Sequence, residues 1–168
     1  MRLNYSEDED FPGQFNIWQA NCRRSLQGKR GQAALKRLEA ALLGMPTKRL
    51  IREAISEVNE SAGRLEVCAL GAVAMMEGHE QILYGDDEAE EAGVAMGFPR
   101  LVAWKVVEQN DIQLDGHYVY AEGPTMPYGK WDRDHYEPRG VWTWFDYTPE
   151  ERYEAVLAWV RSQLERSC

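Results

Sequence analysis

Residues 68–76 read Cys68-Ala-Leu-Gly-Ala-Val-Ala-Met-Met76, a run without a single charge. A surface helix carries one apolar stripe, whereas this run is apolar almost all round, which predicts a helix buried at the centre of the molecule. Gly71 and the alanines leave room for neighbouring helices to come close, and Gly78 predicts the end of the element. A helix of this kind must be covered by others, and the flanking sequence supplies them.

Immediately upstream, residues 48–67 support two readings. Leu50, Ile51, Ala54, Ile55 and Val58 fit a helical stripe. Residues 48–51 and 65–67, separated by the polar stretch 59–63, also suit a short two-stranded ribbon, and this second reading is favoured. Further upstream, Leu35, Leu38 and Leu42 predict a helix over residues 32–43, closed by Gly44-Met45-Pro46. Gly28-Lys29-Arg30-Gly31 separates it from a first helix beginning at Gln14, on which Phe15, Trp18, Cys22 and Leu26 share a face. That Gly-Lys-Arg-Gly is a weak phosphate-loop candidate, because it lacks a preceding strand and the full Walker spacing. Residues 1–13, with Ser6-Glu7-Asp8-Glu9-Asp10 and then Phe11-Pro12-Gly13, read as a mobile acidic arm ended by a turn.

Downstream, Asp86-Asp87-Glu88 suits the N-terminus of a helix over residues 89–96 that stops at Gly97. Pro99 opens a further helix through Glu108, and Asn110-Asp111 ends it. Thr148-Pro149-Glu150-Glu151 predicts the start of a last helix, with a threonine cap, proline in first position and glutamate in third. Tyr153, Val156, Leu157, Val160 and Leu164 run along one face of it. The fold expected is therefore mainly α (α+β): one domain over residues 14–168, with five or six helices and one or two short β ribbons. Its length suffices to bury a sizeable core without metal or disulfide.

Between these helices lies an excursion, residues 113–147, that holds half of the chain's aromatics: Tyr118, Tyr120, Tyr128, Trp131, Tyr136, Trp142, Trp144, Phe145 and Tyr147. Its glycines and prolines exclude one long regular element. Tyr118-Val-Tyr120 and Val141-Trp-Thr-Trp-Phe145 have strand-like composition and are expected to pair, with residues 141–145 reaching the core. The turn-rich middle is expected to expose Tyr128 and Trp131, with Arg133, His135 and Tyr136 beside them, as contacts for a partner.

Charge and cysteines narrow the classes. The net charge of −9 is uneven: residues 1–64 hold 11 basic against 8 acidic residues, and residues 65–168 hold 8 against 20. From Arg23 to Arg52, nine cations face one acid, Glu39. Such a run is either a patch for nucleic acid or an acidic partner, or a half that packs against the acidic half; the second reading is favoured. No apolar run approaches the roughly 20 residues of a membrane-spanning helix, and the acidic start does not resemble a signal peptide. The cytoplasm is therefore expected. Cys22, Cys68 and Cys168 are an odd, scattered set without CxxC, which argues against a disulfide framework or a zinc site.

Several blocks stand in order along the chain: Lys29-Arg-Gly-Gln32, Lys48-Arg-Leu-Ile51, Val67-Cys-Ala-Leu-Gly-Ala72, Asn110-Asp111, and Thr148-Pro-Glu-Glu-Arg152 leading to Trp159-Val160. The chain resembles a group of small phage and prophage proteins with that series. It is similar in outline to a broader set of phage proteins with a Cys-Leu-Gly block followed later by Asn-Asp. The resemblance covers most of residues 25–112 and 148–165, and residues 115–143 look like an elaboration on it. It implies a viral or prophage origin and residence in a bacterial cytoplasm, and it transfers no site residues.

No catalytic signature accompanies these blocks. Cys68 is the one candidate nucleophile, with His79, His117 or His135 as base, but a cysteine in so apolar a run more often packs in a core. Trp131-Asp132-Arg133-Asp134-His135 matches no established metal-ligand spacing, and no metal or cofactor is expected. The reading is a non-enzymatic phage or prophage accessory protein that binds a host or viral macromolecule and modulates host defence or physiology. A host or phage protein is the expected partner, with nucleic acid, a nucleotide or a second copy of the chain as alternatives. The rival functions are a small enzyme using Cys68 with a histidine, and an aromatic-lined nucleotide-binding module.

Overall fold

A computed structural model describes residues 12–85, 88–112, 117–122 and 140–166. In chain order the elements are α1 (Pro12–Gln27), α2 (Lys29–Gly44), β1 (Ser56–Asn59), β2 (Arg64–Val67), α3 (Ala69–Glu77), α4 (Glu80–Leu83), α5 (Ala89–Ala95), α6 (Arg100–Val107), a π-helical turn (Glu108–Ile112), β3 (His117–Glu122), β4 (Gly140–Phe145) and α7 (Pro149–Glu165). The fold is mainly α with small two-stranded sheets, as expected. The single-turn α4 and the π-helical turn, where Asn110-Asp111 was expected to end a helix, are not foreseen from the sequence.

The charge-free run is indeed the centre. Residues 69–74 of α3 are buried on every side, with α2, α5 and α6 packed around them. Leu35, Leu38 and Leu42 of α2, Val102 and Val106 of α6, and Val156 and Val160 of α7 complete the core. Gly71 is required there: a Cβ on it would lie 2.2 Å from the Ile55 carbonyl oxygen and 2.9 Å from the Val67 Cβ. Gly31 does the same work between α1 and α2, where a Cβ would come within 1.9 Å of the Ser25 carbonyl oxygen.

Several boundaries move. Pro12 and Gly13 lie in α1 rather than in a turn, since proline is well tolerated in a first helical turn. Residues 1–11, the rest of the expected arm, lie outside the described residues. The break between α1 and α2 narrows to Gly28, so Lys29, Arg30 and Gly31 belong to α2. The upstream ribbon exists, but its first strand is residues 56–59, not 48–51; Ser56 stands opposite Val67 and Asn59 opposite Arg64. Residues 48–51 run extended beside it, held by Ile51 N–H to the Val67 carbonyl at 3.1 Å and Leu50 N–H to the Pro149 carbonyl at 2.9 Å. Backbone pairing with α7's start and with β2 thus outcompetes the helical stripe at Leu50 and Ile51.

The α7 start follows the sequence closely. Thr148 Oγ1 accepts the Glu151 N–H at 3.2 Å, and Glu151 Oε2 accepts the Thr148 N–H at 2.9 Å, a complete capping box. α2 and α7 lie antiparallel: Gln32 Nε2 donates to the Gln163 carbonyl at one end, and Tyr153 Oη donates to the Leu42 carbonyl at the other.

Candidate functional site

Four of the five sequence blocks, those holding Ile51, Ala69, Asn110 and Arg152, are far apart in sequence but meet in a buried polar junction. α6 widens into the π-helical turn at residues 108–112, which delivers Asn110 into the interior at 2% exposure. π-Helical turns inside helices often mark places where a side chain must be aimed specifically. Here Asn110 Oδ1 accepts the Ala69 N–H at 3.3 Å, and Nδ2 donates to the Ile51 carbonyl at 2.9 Å. Its own carbonyl accepts a hydrogen bond from Arg152, a guanidinium with 2% residue exposure. One residue therefore fastens the extended strand, the start of α3 and α7 to α6.

The other blocks fasten in similar ways. Gln32 donates to the carbonyls of Leu26 and Gln163, joining α1, α2 and α7. Lys48 Nζ donates to the carbonyls of Leu42, Leu43 and Met45 at 2.6–3.2 Å, which satisfies the free C-terminal carbonyls of α2. Cys68 caps α3, its Sγ accepting the Gly71 N–H at 3.4 Å. Burial pushes the Cys68 thiol up to about 11, against hydrogen bonds that favour the thiolate, so it is protonated at neutral pH. The His79 ring faces Glu77 at 3.3 Å rather than Cys68. His117 lies in β3, and His135 lies outside the described residues.

At the rim of the junction, where the excursion leaves and returns, acids and arginines gather. Burial raises the Asp111 carboxyl, opposed by hydrogen bonds from the Asn110 amide and the Glu53 N–H and by the field of Arg152. Glu53 has φ +65°, a left-handed conformation rare outside glycine, and it is this turn that aims its N–H at Asp111. Asp146 lies 3.7 Å from Arg152 and 3.9 Å from Arg52. The two arginines thus tie Asp146, which directly follows β4 in sequence, to the helical body. Among the described residues, no group of three or more His, Cys, Asp or Glu is placed to hold a metal ion.

Above the rim, β3 and β4 pair antiparallel over their full length. Tyr118 stands opposite Trp144, and Tyr120 opposite Trp142. Residues opposite one another, and residues two apart, share a face of a ribbon. One face therefore carries the register positions of four aromatics. The strands pair as their composition suggested; whether residues 141–145 reach the core, and the positions of Tyr128, Trp131, Arg133, His135 and Tyr136, lie outside the described residues and side chains.

The basic run divides in two. Arg37 makes two hydrogen bonds to Glu77, Arg49 reaches Glu66 and Glu150, and Arg52 reaches Asp146, so these cations join the two oppositely charged halves. Arg23, Arg24, Lys29, Arg30 and Lys36 are exposed and make no ion pair among the described residues. The sequence reading did not find Asn110 as a fastening point, Arg152 as a buried cation or Glu53 as a strained turn. Their only signal was their place in the sequence blocks Asn110-Asp111 and Thr148–Arg152.

Comparison with known proteins adds no assignment: no family model, no curated protein and no solved structure matches the chain.

Proposed function

We propose that the chain is a non-enzymatic accessory protein of phage or prophage origin that binds a macromolecule, in the first place a host or phage protein, through its aromatic excursion. The observation that carries this reading is the ribbon register, which gathers Tyr118, Tyr120, Trp142 and Trp144 on one face. A two-stranded ribbon is marginal alone in water and gains most when something covers a face. Tyrosine and tryptophan offer large contact area with few rotatable bonds, which suits a hot spot. The thiol-enzyme alternative loses support, because Cys68 is buried, capped and protonated. The excursion as a whole has six acids against three cations, which favours a protein over a polyanion at this face.

The test is capture from a bacterial lysate with the full chain as bait, wild type against Tyr128→Ala/Trp131→Ala. Loss of a specific partner in the variant supports the reading. Undiminished recovery of the same partner moves the contact away from Tyr128 and Trp131, and the same capture with Tyr118→Ala/Trp144→Ala then decides whether it leaves the excursion. Thermal stabilisation by a nucleotide at about 100 times its Kd, worth about 2.7 kcal/mol, would instead favour the nucleotide-binding alternative.

A further inference from the structure

Of the five cations of the basic run that make no ion pair among the described residues, four collect at one end of the helical body. Arg23 and Arg24 lie in the last turns of α1, and Lys29 and Arg30 open α2 across the single residue Gly28. The hydrogen bond from Gln32 to the Gln163 carbonyl brings the last turn of α7 to the same end, with Arg166 exposed on it. Glu165 is the one described acid in that last turn of α7. Arg23 and Arg24 hydrogen-bond to the neutral amides of Gln19 and Asn21, which orient them without neutralising them. The C-terminal ends of α1 and α7 adjoin the N-terminal end of α2, so the helix dipoles leave a net of about −0.5 charge here, which the four exposed side-chain cations outweigh.

The acidic half of the chain does not cancel this charge. Asp111 and Asp146, at the excursion's base, face Arg152 near the start of α7, toward the other end of the antiparallel α2–α7 pair. A helix of α2's length spans about 24 Å at 1.5 Å per residue. The Debye length at physiological ionic strength is about 8 Å, so charge at one end is largely screened from the other. A net charge of −9 is thus compatible with a cationic end.

We propose that this end, centred on Arg23, Arg24, Lys29 and Arg30, binds the phosphate backbone of nucleic acid without reading sequence. The choice of occupant follows from charge density. Isolated surface carboxylates on a protein gain little from exposed cations, because water and salt compete for both. A nucleic acid carries a dense line of phosphates and condensed counterions, whose release drives association with clustered cations. No aromatic or amide group at this end is placed by a described contact to read bases, so the contact is to the backbone alone. These residues are separate from the aromatic excursion, so either proposal can fail alone.

Fluorescence anisotropy with the full chain and a labelled DNA duplex of about 20 base pairs tests it, since each neutralised phosphate contributes a log–log salt slope of about −0.9. For four to five contacts the expected slope is about −4, so affinity falls about 250-fold between roughly 50 and 200 mM KCl. Arg23→Ala/Arg24→Ala/Lys29→Ala/Arg30→Ala should flatten that slope to about −1 or less, while Arg100→Ala, on α6, leaves it unchanged. The single reversal Lys29→Glu, at an exposed site, should weaken binding without altering the fold, as read by circular dichroism. Absence of wild-type binding at the lower salt, or an unchanged slope in the quadruple variant, overturns the proposal. So does binding that emerges only when Glu7, Asp8, Glu9 and Asp10 are neutralised, because the occupant is then the chain's own acidic arm. A salt-sensitive dimer abolished by the quadruple variant, without DNA binding, assigns the end to a second copy instead.

Discussion

The junction around Asn110 and the ribbon of β3 and β4 lie close in the fold but answer to different demands. Every block of the resembling series ends in a hydrogen bond, a cap or a close approach that joins elements of the helical body. None falls in β3, β4 or the residues between them. The blocks are thus explained by folding, whereas the aromatic register of the ribbon has no counterpart among them. On the function proposed above, the ribbon between Asp111 and Asp146 is where a partner is to be sought.

The strongest way to break this contrast is Asn110→Ala. It strands the Ala69 N–H and the Ile51 carbonyl in the interior and should cost about 2–6 kcal/mol, at about 1–3 kcal/mol for each unsatisfied group. A smaller cost points to a junction that water can enter. Gly71→Ala should follow at about 2–3 kcal/mol, because Cβ meets the Ile55 backbone rather than a yielding side chain. Urea unfolding measures both, and a neutral Gly71→Ala would mean that α3 is free to shift.

The pH dependence sharpens the comparison further, since two carboxyls pull in opposite directions. The Arg37 hydrogen bonds hold Glu77 below the usual glutamate range, so its contribution is present above that range and is lost as pH falls through its folded value. Burial holds Asp111 above its usual range, so its ionisation destabilises the fold as pH rises from the ordinary aspartate range through its folded value. Asp111→Asn keeps acceptor capacity for the Glu53 N–H and should stabilise the protein at neutral pH. That gain should vanish at pH values below the ordinary aspartate range, and a gain that persists there would place its origin elsewhere. The smallest effect is chemical: iodoacetamide should leave Cys22 and Cys68 of the native protein unmodified, as mass mapping reads, since both are buried and protonated.

Much of the body was legible because period and punctuation agree there. The charge-free run at 68–76, the leucines of α2 and the Thr148 cap each carry a local signal that the tertiary structure reinforces. Residues 48–51 were harder, since Leu50 and Ile51 suit a helix or a strand, and distant groups, the Pro149 and Val67 carbonyls, decide between them. Asn110 and Arg152 were legible only as boundary signals, because burial of a polar side chain depends on partners that no local window contains. The basic run illustrates the same point: Arg37 and Arg30 look alike in sequence, and only the neighbouring Glu77 separates a tie from a free charge.

The most direct test of the contrast is the urea midpoint of Tyr128→Ala/Trp131→Ala set beside that of Asn110→Ala. The expected midpoint is within error of wild type for the aromatic pair, with a large fall for Asn110→Ala. An aromatic pair that falls as far as Asn110→Ala would show that the excursion serves the fold and not a partner.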